Sequence, residues 1–150
     1  MLTPEPNSKI IFGNGGSANI ANHIANDLTN AAKITSISFS DVGIITCFIN
    51  DYGFENWVSK AIEYHYEKGD IIILISSSGM SMNMVKAAIK CKKEKKYLVT
   101  LSGFSKNNKL FKYGDCRFHV NSKSYNYVEL AHMQLLMSIV DLAKKYQWTI

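Results

Sequence analysis

A run of serines stands directly after an apolar segment in the middle of the chain. Residues 71–75 are all apolar, and Ser76, Ser77, Ser78 and Ser81 follow them, with a glycine at position 79. Hydroxyl groups donate hydrogen bonds without bulk, and a helix that begins here adds unpaired backbone N–H groups and the positive end of its dipole. The pattern predicts a binding site for a phosphate monoester. A serine-capped helix that follows a flexible turn is the structural alternative.

A glycine-rich segment, Gly13-Asn14-Gly15-Gly16-Ser17, follows the first apolar run. It lacks the Gly-x-Gly-x-x-Gly spacing of a dinucleotide-binding loop, and no clear ribose-binding acid ends the second predicted strand, although Asp41 follows it. Asn14, Gly15 and Ser17 provide amide and hydroxyl groups for contacts with a sugar. The segment is therefore a candidate sugar-contacting turn, with a partial dinucleotide loop as the alternative.

Two pairs of titratable residues could transfer protons. His23 and Asp27 are spaced i, i+4 on one face of a predicted helix, but asparagines share that face, so a solvated stripe is an equal alternative. Glu129 and His132 lie on an otherwise apolar side of the last predicted helix. Burying them without partners is costly, which indicates either a catalytic role or a satisfied ion pair in a subunit interface.

The elements that carry these residues follow an alternating pattern. Short β-branched runs alternate with segments of helical period, which is typical of parallel strands joined by crossover helices. We expect five strands, at residues 9–12, 34–39, 71–75, 97–101 and 117–120. We expect helices after the glycine-rich segment to near Ala32, in two pieces around residues 50–53, after the serine loop, and from about Tyr125 to Tyr146.

These elements predict an α/β fold, a three-layer, doubly wound, five-stranded parallel sheet with helices on both faces. In such folds, ligands bind beyond the carboxyl ends of the strands. Both unusual loops begin where a strand ends and a helix starts. The fold is therefore expected to bring them to the same edge of the sheet.

The length and net charge of the chain indicate how many domains it has and what kind of ligand it binds. With 150 residues, 47% of them hydrophobic, the chain is predicted to be a single domain over residues 1–150. The net charge of +5 comes largely from the lysines of residues 90–96, where a solvated helix surface is the ordinary explanation. We therefore expect an anionic small ligand and no nucleic-acid partner.

The cysteines and the N-terminal sequence indicate in which cellular compartment the protein is located. Cys47, Cys91 and Cys116 form no Cys-x-x-Cys pair and are predicted to be buried thiols in a reducing compartment. Residues 1–6 have no signal-peptide pattern, and no apolar run reaches the roughly 18 residues that span a bilayer. We expect a cytoplasmic protein with no membrane partner.

Together, these loops resemble a known family. The segments Gly13-Asn14-Gly15-Gly16-Ser17-Ala18, Asn50-Asp51-Tyr52-Gly53, Ile75-Ser76-Ser77-Ser78-Gly79 and Leu101-Ser102-Gly103 are similar, in this order, to motifs of the sugar isomerase (SIS) domain. Within the family they are most similar to the phosphoheptose isomerase group, and the resemblance extends from Lys9 to Lys145. It implies a flavodoxin-like topology, a phosphate held by the serine loop, Asp51 among the substrate-binding residues, and a homotetramer with shared sites. Relatives carry a helix before the first strand, which this chain is expected to lack.

The resemblance also implies a reaction. Aldose–ketose isomerisation moves a proton between adjacent carbons and stabilises an enediolate oxygen. In phosphoheptose isomerases a His and a Glu on the first helix, with a Gln and a His on the last, bind a metal and transfer the protons. His23 matches the first of these; Asp27 replaces the Glu, Glu129 the Gln and Met137 the second His, with His132 one turn away. The implied catalytic residues are Asp27, Glu129 and His132.

Two hypotheses about function follow. The first is a phosphoheptose isomerase that converts sedoheptulose 7-phosphate to a manno-heptose 7-phosphate for lipopolysaccharide or capsule heptoses. No cofactor is required by the sequence, but His23, Asp27 and Glu129 would suit a zinc ion with an open fourth position. The second is a phosphosugar-binding or protein-interaction module without turnover, because Met137 cannot transfer a proton and Met80 stands where the family loop has Asn.

Overall fold

The sheet contains five parallel strands in the order β2-β1-β3-β4-β5. A computed structural model of the chain describes residues 8–147. The strands are β1 (Lys9–Phe12), β2 (Ser36–Ser38), β3 (Ile71–Ser76), β4 (Tyr97–Gly103) and β5 (Cys116–Val120). This is the strand order of flavodoxin-like, doubly wound sheets, so the predicted fold class is confirmed.

The predicted helices are present. They are α1 (Gly16–Asn30), α2 (Val42–Tyr52), α3 (Trp57–His65), α4 (Met82–Lys93) and α5 (Tyr125–Gln147), with a short 3-10 turn at Leu110–Lys112. The predictions about a missing N-terminal helix and about the signal-peptide pattern concern residues that lie outside the described part of the chain.

Helices cover both faces of the sheet. Side chains of a strand point alternately to opposite faces, so Ile72 and Leu74 of β3 pack with α3 and α4, whereas Ile73 and Ile75 pack with α1 and α5. The central strand is buried on both sides, as its continuous apolar sequence predicted. The structure therefore has three layers.

The strand ends differ from the prediction in a way that matters for the site. β3 extends by one residue to Ser76, and β4 extends to Gly103, because Ser76 pairs with Ser102. The edge strand β2 is shorter than predicted, since only its residues 36–38 pair with the four-residue strand β1. Pairing, rather than β-branched composition, decides where each strand ends.

The surface features agree only partly with the predictions. Lys90 and Lys92 pair with Glu63 and Asp115, which is consistent with an ordinary solvated helix surface. The prediction of three buried thiols holds only for Cys91. Cys116 is half-buried, and Cys47 is exposed because the α2 residues that pack on the core are Ile45, Phe48 and Ile49. Within residues 8–147, no helix is both long and apolar enough to cross a membrane.

Candidate functional site

The two unusual loops meet at the carboxyl edge of the sheet. β1 and β3 are neighbours; β1 leads through residues 13–15 into α1, and β3 leads through residues 77–81 into α4. Between the loops lies an open cavity of about 120 Å³. It is lined by Asn14, Ser17, Ile75, Ser76, Ser77, Ser78, Ser81, Tyr125 and Glu129. The structure thus brings together most of the residues that were predicted to bind a sugar phosphate.

The serine loop is a tight turn that leaves its hydroxyl groups near the cavity. Gly79 has a φ of 65° and donates its N–H to Ser76 O at 2.9 Å. The Ser76 and Ser81 hydroxyls lie 3.3 Å apart. Ser81 is the N-cap of α4, but its side chain makes no capping hydrogen bond. The alternative in which this serine serves only to cap the helix is therefore not supported.

Ser77, like Ser76, is a buried serine of the loop. Its side chain is buried, and its Oγ has no hydrogen-bond partner among the described residues. Its carbonyl accepts the Gly103 N–H at 2.9 Å, which ties the loop to the end of β4. An unpaired buried hydroxyl costs free energy, and a ligand atom that accepts its proton would offset that cost.

Helix dipoles rather than side-chain cations supply the positive potential of the cavity. Among the described residues, its lining includes no lysine or arginine. The N-termini of α1 and α4 both border it, and each contributes the positive end of a helix dipole, although the N–H groups of Ser17, Ala18 and Asn19 in α1 already bond to the preceding loop. The Glu129 carboxylate packs so closely on Gly16, the first residue of α1, that a Cβ at this position would overlap it. Glu129 thus lies at the N-terminus of α1, and the end of its side chain would have to shift to make room for a larger residue at position 16.

Two asparagines join the loops. Asn14 donates its Nδ2 to Asn83 Oδ1 at 3.0 Å, and Asn83 donates its Nδ2 to Asn14 Oδ1 at 2.9 Å. The same Asn83 oxygen accepts the Met84 N–H at 3.0 Å. Because Asn83 has no exposed surface, this pair fixes the distance between the two loops.

A third asparagine supports the serine loop from the side of β4. Asn108 is buried and donates to Ser102 Oγ at 3.1 Å and to Ser105 O at 2.7 Å. Its side chain fills the space where a Cβ of residue 79 would lie. A glycine is therefore needed at position 79 for two reasons, its positive φ and this close contact.

His132 does not line the cavity. Its side chain has no exposed surface and lies behind β4, where Nε2 donates to Ser102 O at 3.2 Å. Burial lowers the pKa of the ring, and Nδ1 has no partner within the described part of the chain. Burial therefore favours the neutral ring, which supports the strand end within one chain, and the catalytic role of His132 stays a prediction.

His23 and Asp27 pair with each other outside the cavity. His23 Nε2 lies 3.2 Å from Asp27 Oδ2, and both side chains are more than 40% exposed. His23 is about 10 Å along α1 from Gly16, where Glu129 lies. No group of three His, Cys, Asp or Glu residues within residues 8–147 could hold a metal ion. One chain therefore does not assemble the predicted zinc ligands His23, Asp27 and Glu129.

Two further binding candidates lie away from the cavity lining. Asp51 is exposed on α2, where its carboxylate accepts a hydrogen bond from Asn50 Nδ2 at 2.9 Å. Gly15 is the N-cap of α1 and has a φ of 52°, so its contribution is the turn itself. The prediction that Asp51 contacts the substrate is not met within one chain.

Comparison with known proteins identifies the family. Residues 7–103 match the SIS domain. The chain belongs to the SIS domain family. The match includes both loops of the cavity and ends before α5, which carries Glu129 and His132.

Several members of this family with similar sequences are named phosphoheptose isomerase. A phosphoheptose isomerase of Fusobacterium nucleatum is 36% identical over 137 residues, which cover 88% of this chain and 70% of that protein. One from Cytophaga hutchinsonii is 32% identical over 142 residues, with 91% and 74% covered. The solved structure of the Neisseria gonorrhoeae phosphoheptose isomerase superposes with a TM-score of 0.82 at 27% identity, covering 90% of this chain and 76% of that chain.

Sequence reasoning missed three residues of this SIS site. Asn83 interrupts the apolar residues at the start of α4, and that is a signal that could have been used. Asn108 lies in a polar loop that gives no such signal. Tyr125 was predicted only as the start of the last helix, yet it lines the cavity beside Glu129.

A second cavity of about 260 Å³ lies at the opposite, amino edge of the sheet. Its lining is apolar except for a few groups, and it includes Ile24 and Leu28 of α1 with Leu136 of α5. Among the described residues, its lining offers few polar side chains. It is therefore unsuited to a sugar phosphate.

His132→Gln should change the pH dependence of stability while leaving the fold intact. The ordinary pKa of His132 is 6.5, and burial lowers it in the folded state. The unfolded chain therefore binds more protons, so His132 reduces stability progressively as the pH falls below 6.5. Glutamine keeps a donor for Ser102 O and has no such titration.

We expect denaturant unfolding between pH 8 and pH 5 to show a smaller loss of stability for His132→Gln than for the wild type. The two proteins differ only at position 132, so the difference between their losses reports on that residue. Equal losses in the two proteins would contradict the neutral, buried role of His132.

Proposed function

We propose that the chain is a phosphoheptose isomerase that binds a seven-carbon ketose phosphate and converts it to the aldose phosphate. One observation carries the proposal: two helix N-termini and a group of serine hydroxyls converge on one cavity at the carboxyl edge of the sheet. The names of the relatives support the choice of substrate. Sedoheptulose 7-phosphate is the substrate we propose, with a manno-heptose 7-phosphate as product for lipopolysaccharide or capsule heptoses.

The charges within the cavity orient the substrate. A phosphate carries negative charge and is repelled by the Glu129 carboxylate, so its favoured position is against Ser76, Ser77 and the N-terminus of α4. The sugar then extends toward Glu129. We propose that Glu129 accepts hydrogen bonds from sugar hydroxyl groups, while Asn14 and Ser17 donate to the sugar.

The double substitution Ser77→Ala with Ser81→Ala should remove most of the phosphate-dependent stabilisation. Each hydrogen bond to a charged group contributes about 1.5–3 kcal/mol, so loss of two should weaken binding by at least about a hundredfold. Thermal shift with sedoheptulose 7-phosphate measures the effect. Ser40→Ala, an exposed serine outside the cavity, is the matched control. Full stabilisation of the double variant would contradict the proposed role of the loop.

Proton transfer is assigned to Asp27. It is a carboxylate at the position where the resemblance implies a catalytic Glu, and the His23 imidazole at 3.2 Å can hold it in one orientation. Both side chains are exposed and lie outside the cavity of their own chain. We therefore propose that a second subunit packs against them and completes the catalytic site there. Asp51 is proposed to contact substrate in the same shared site.

Exposed apolar surface supports assembly of several chains. On α5, Leu130 and Leu142 are 66% and 55% exposed, and Met137 is 43% exposed. The apolar helix α2 buries none of its residues fully. We propose a homotetramer. Analytical ultracentrifugation should give four times the chain mass of 16.9 kDa, and a monomer at assay concentration would contradict the shared site.

Asp27→Asn should abolish turnover but not binding. General acid–base catalysis contributes about 10²–10⁴-fold, so kcat should fall by about that factor while the thermal shift with substrate persists. Asp27→Glu should restore part of the activity, because the carboxylate returns with a longer reach. Glu129→Gln should act mainly on KM, because Glu129 is proposed to bind sugar hydroxyl groups and Asp27 to transfer the proton.

Asp141→Asn, an exposed aspartate on α5, is the control for this series. The assay is conversion of sedoheptulose 7-phosphate followed by chromatography of the product. If Asp27→Asn keeps the wild-type kcat, Asp27 is not the base.

A zinc ion is not part of the proposed mechanism. His23 and Asp27 provide two donors of suitable type, but Glu129 is held against α1 elsewhere, and no three-ligand cluster exists within the described residues. The donor set of a single chain therefore does not fit zinc. No step is routed through a metal.

A non-catalytic phosphosugar-binding module is the second candidate function. The observation that favours it is the absence of any imidazole from the described lining of the cavity. This hypothesis predicts stabilisation by sugar phosphates without turnover, with or without added zinc, which the assays above distinguish. The cytoplasmic location and the single domain stay predictions from the sequence.

A further inference from the structure

Tyr125 and Phe104 form an aromatic contact at the mouth of the cavity. The two rings meet edge to face, with centroids 4.8 Å apart and planes at 66°. Tyr125 is the first residue of α5 and lines the cavity together with Glu129, four residues later on the same helix face. No feature of the proposed mechanism uses either aromatic side chain.

Phe104 has an unusual backbone conformation. Its φ is 58°, a region that bulky residues rarely occupy. The conformation lets its N–H donate to Ser122 O at 2.9 Å, which joins the end of β4 to the segment before α5. A glycine would adopt this φ without strain, whereas phenylalanine at this position lowers stability. A role for its ring contact with Tyr125 would explain why a phenylalanine is present.

The position of Tyr125 gives its hydroxyl a defined use. Tyr125 is 57% exposed, so burial does not explain its placement. The serines and amides of the described cavity lining are neutral donors, and the phenol of Tyr125 is one more neutral donor in the same lining.

We propose that Tyr125 donates a hydrogen bond to the bound phosphate and that Phe104 is the positioning residue that holds the Tyr125 ring over the cavity. This inference rests on the proposed phosphate site but not on the identity of the sugar or on turnover. Tyr125 thus acts as the donor that encloses the anion, and Phe104 acts only through Tyr125.

Four variants separate the phenol, the ring and the backbone. Tyr125→Phe removes the hydroxyl and keeps the edge-to-face contact. Phe104→Ala and Phe104→Gly both remove the supporting ring, but only glycine also relieves the positive φ. The double variant Tyr125→Phe with Phe104→Gly tests whether Phe104 acts through Tyr125.

The measurement is the affinity for inorganic phosphate and for sedoheptulose 7-phosphate by isothermal titration, with denaturant unfolding of each unliganded variant. We expect Tyr125→Phe to raise the Kd for phosphate by about 3–10-fold. Phe104→Ala and Phe104→Gly should weaken binding to a similar degree, although Phe104→Gly should be the more stable of the two. In the double variant, Phe104→Gly should add no further loss of affinity.

The outcomes distinguish this inference from the proposed function. If the wild type binds neither phosphate nor the sugar phosphate, the proposed function and this inference both fail. If the wild type binds and Tyr125→Phe binds equally well, only the inference fails. If Phe104→Gly weakens binding as much in the Tyr125→Phe background as in the wild type, Phe104 does not act through Tyr125 and the positioning role is overturned.

Discussion

The reciprocal hydrogen bonds between Asn14 and Asn83 determine the geometry of the site. These residues are 69 positions apart in the chain, and their amides pair at 2.9 and 3.0 Å. One follows β1 and the other lies in the first turn of α4, so the pair fixes one loop against the other. Because Asn83 is fully buried, loss of its partner would leave an amide unsatisfied at a cost of about 1–3 kcal/mol. Loss of this pair would remove a direct contact that holds the two loops of the cavity together.

The topology of the sheet explains why the two loops can meet. In the order β2-β1-β3, the chain leaves β1 toward one face of the sheet and leaves β3 toward the other, so α1 and α4 lie on opposite sides. A crevice opens at such a switch point, and the N-termini of both helices line it. Asn108 and His132 hold the neighbouring end of β4. Ser102 Oγ accepts a hydrogen bond from Asn108, and Ser102 O accepts one from His132. The site is thus a rigid set of backbone donors supported by buried polar side chains.

Much of this arrangement could be predicted from the sequence, because the loops have local signatures. The signatures are a serine loop between an apolar strand and a helix and a glycine-rich turn after β1. They indicate where the cavity lies without knowledge of the rest of the fold. Asn83 and Asn108 could not be assigned their partners, since those partners are distant in sequence. The full burial of His132 could not be predicted, because helical periodicity gives the face of a helix and not the depth at which a residue is buried. Asp51 and Asp27 lie on surfaces whose contacts one chain does not determine.

The central claim is that the cavity between the two loops binds a sugar phosphate, with the phosphate held by the serine loop and the start of α4 and the sugar beside the glycine-rich loop. A crystal structure of the chain with sedoheptulose 7-phosphate tests it most directly. The account predicts phosphate oxygens within hydrogen-bonding distance of the serine loop and of the backbone N–H groups at the start of α4, with the sugar extending past Asn14 toward Glu129. A phosphate bound elsewhere, for example at the lysines of residues 90–96, would contradict it.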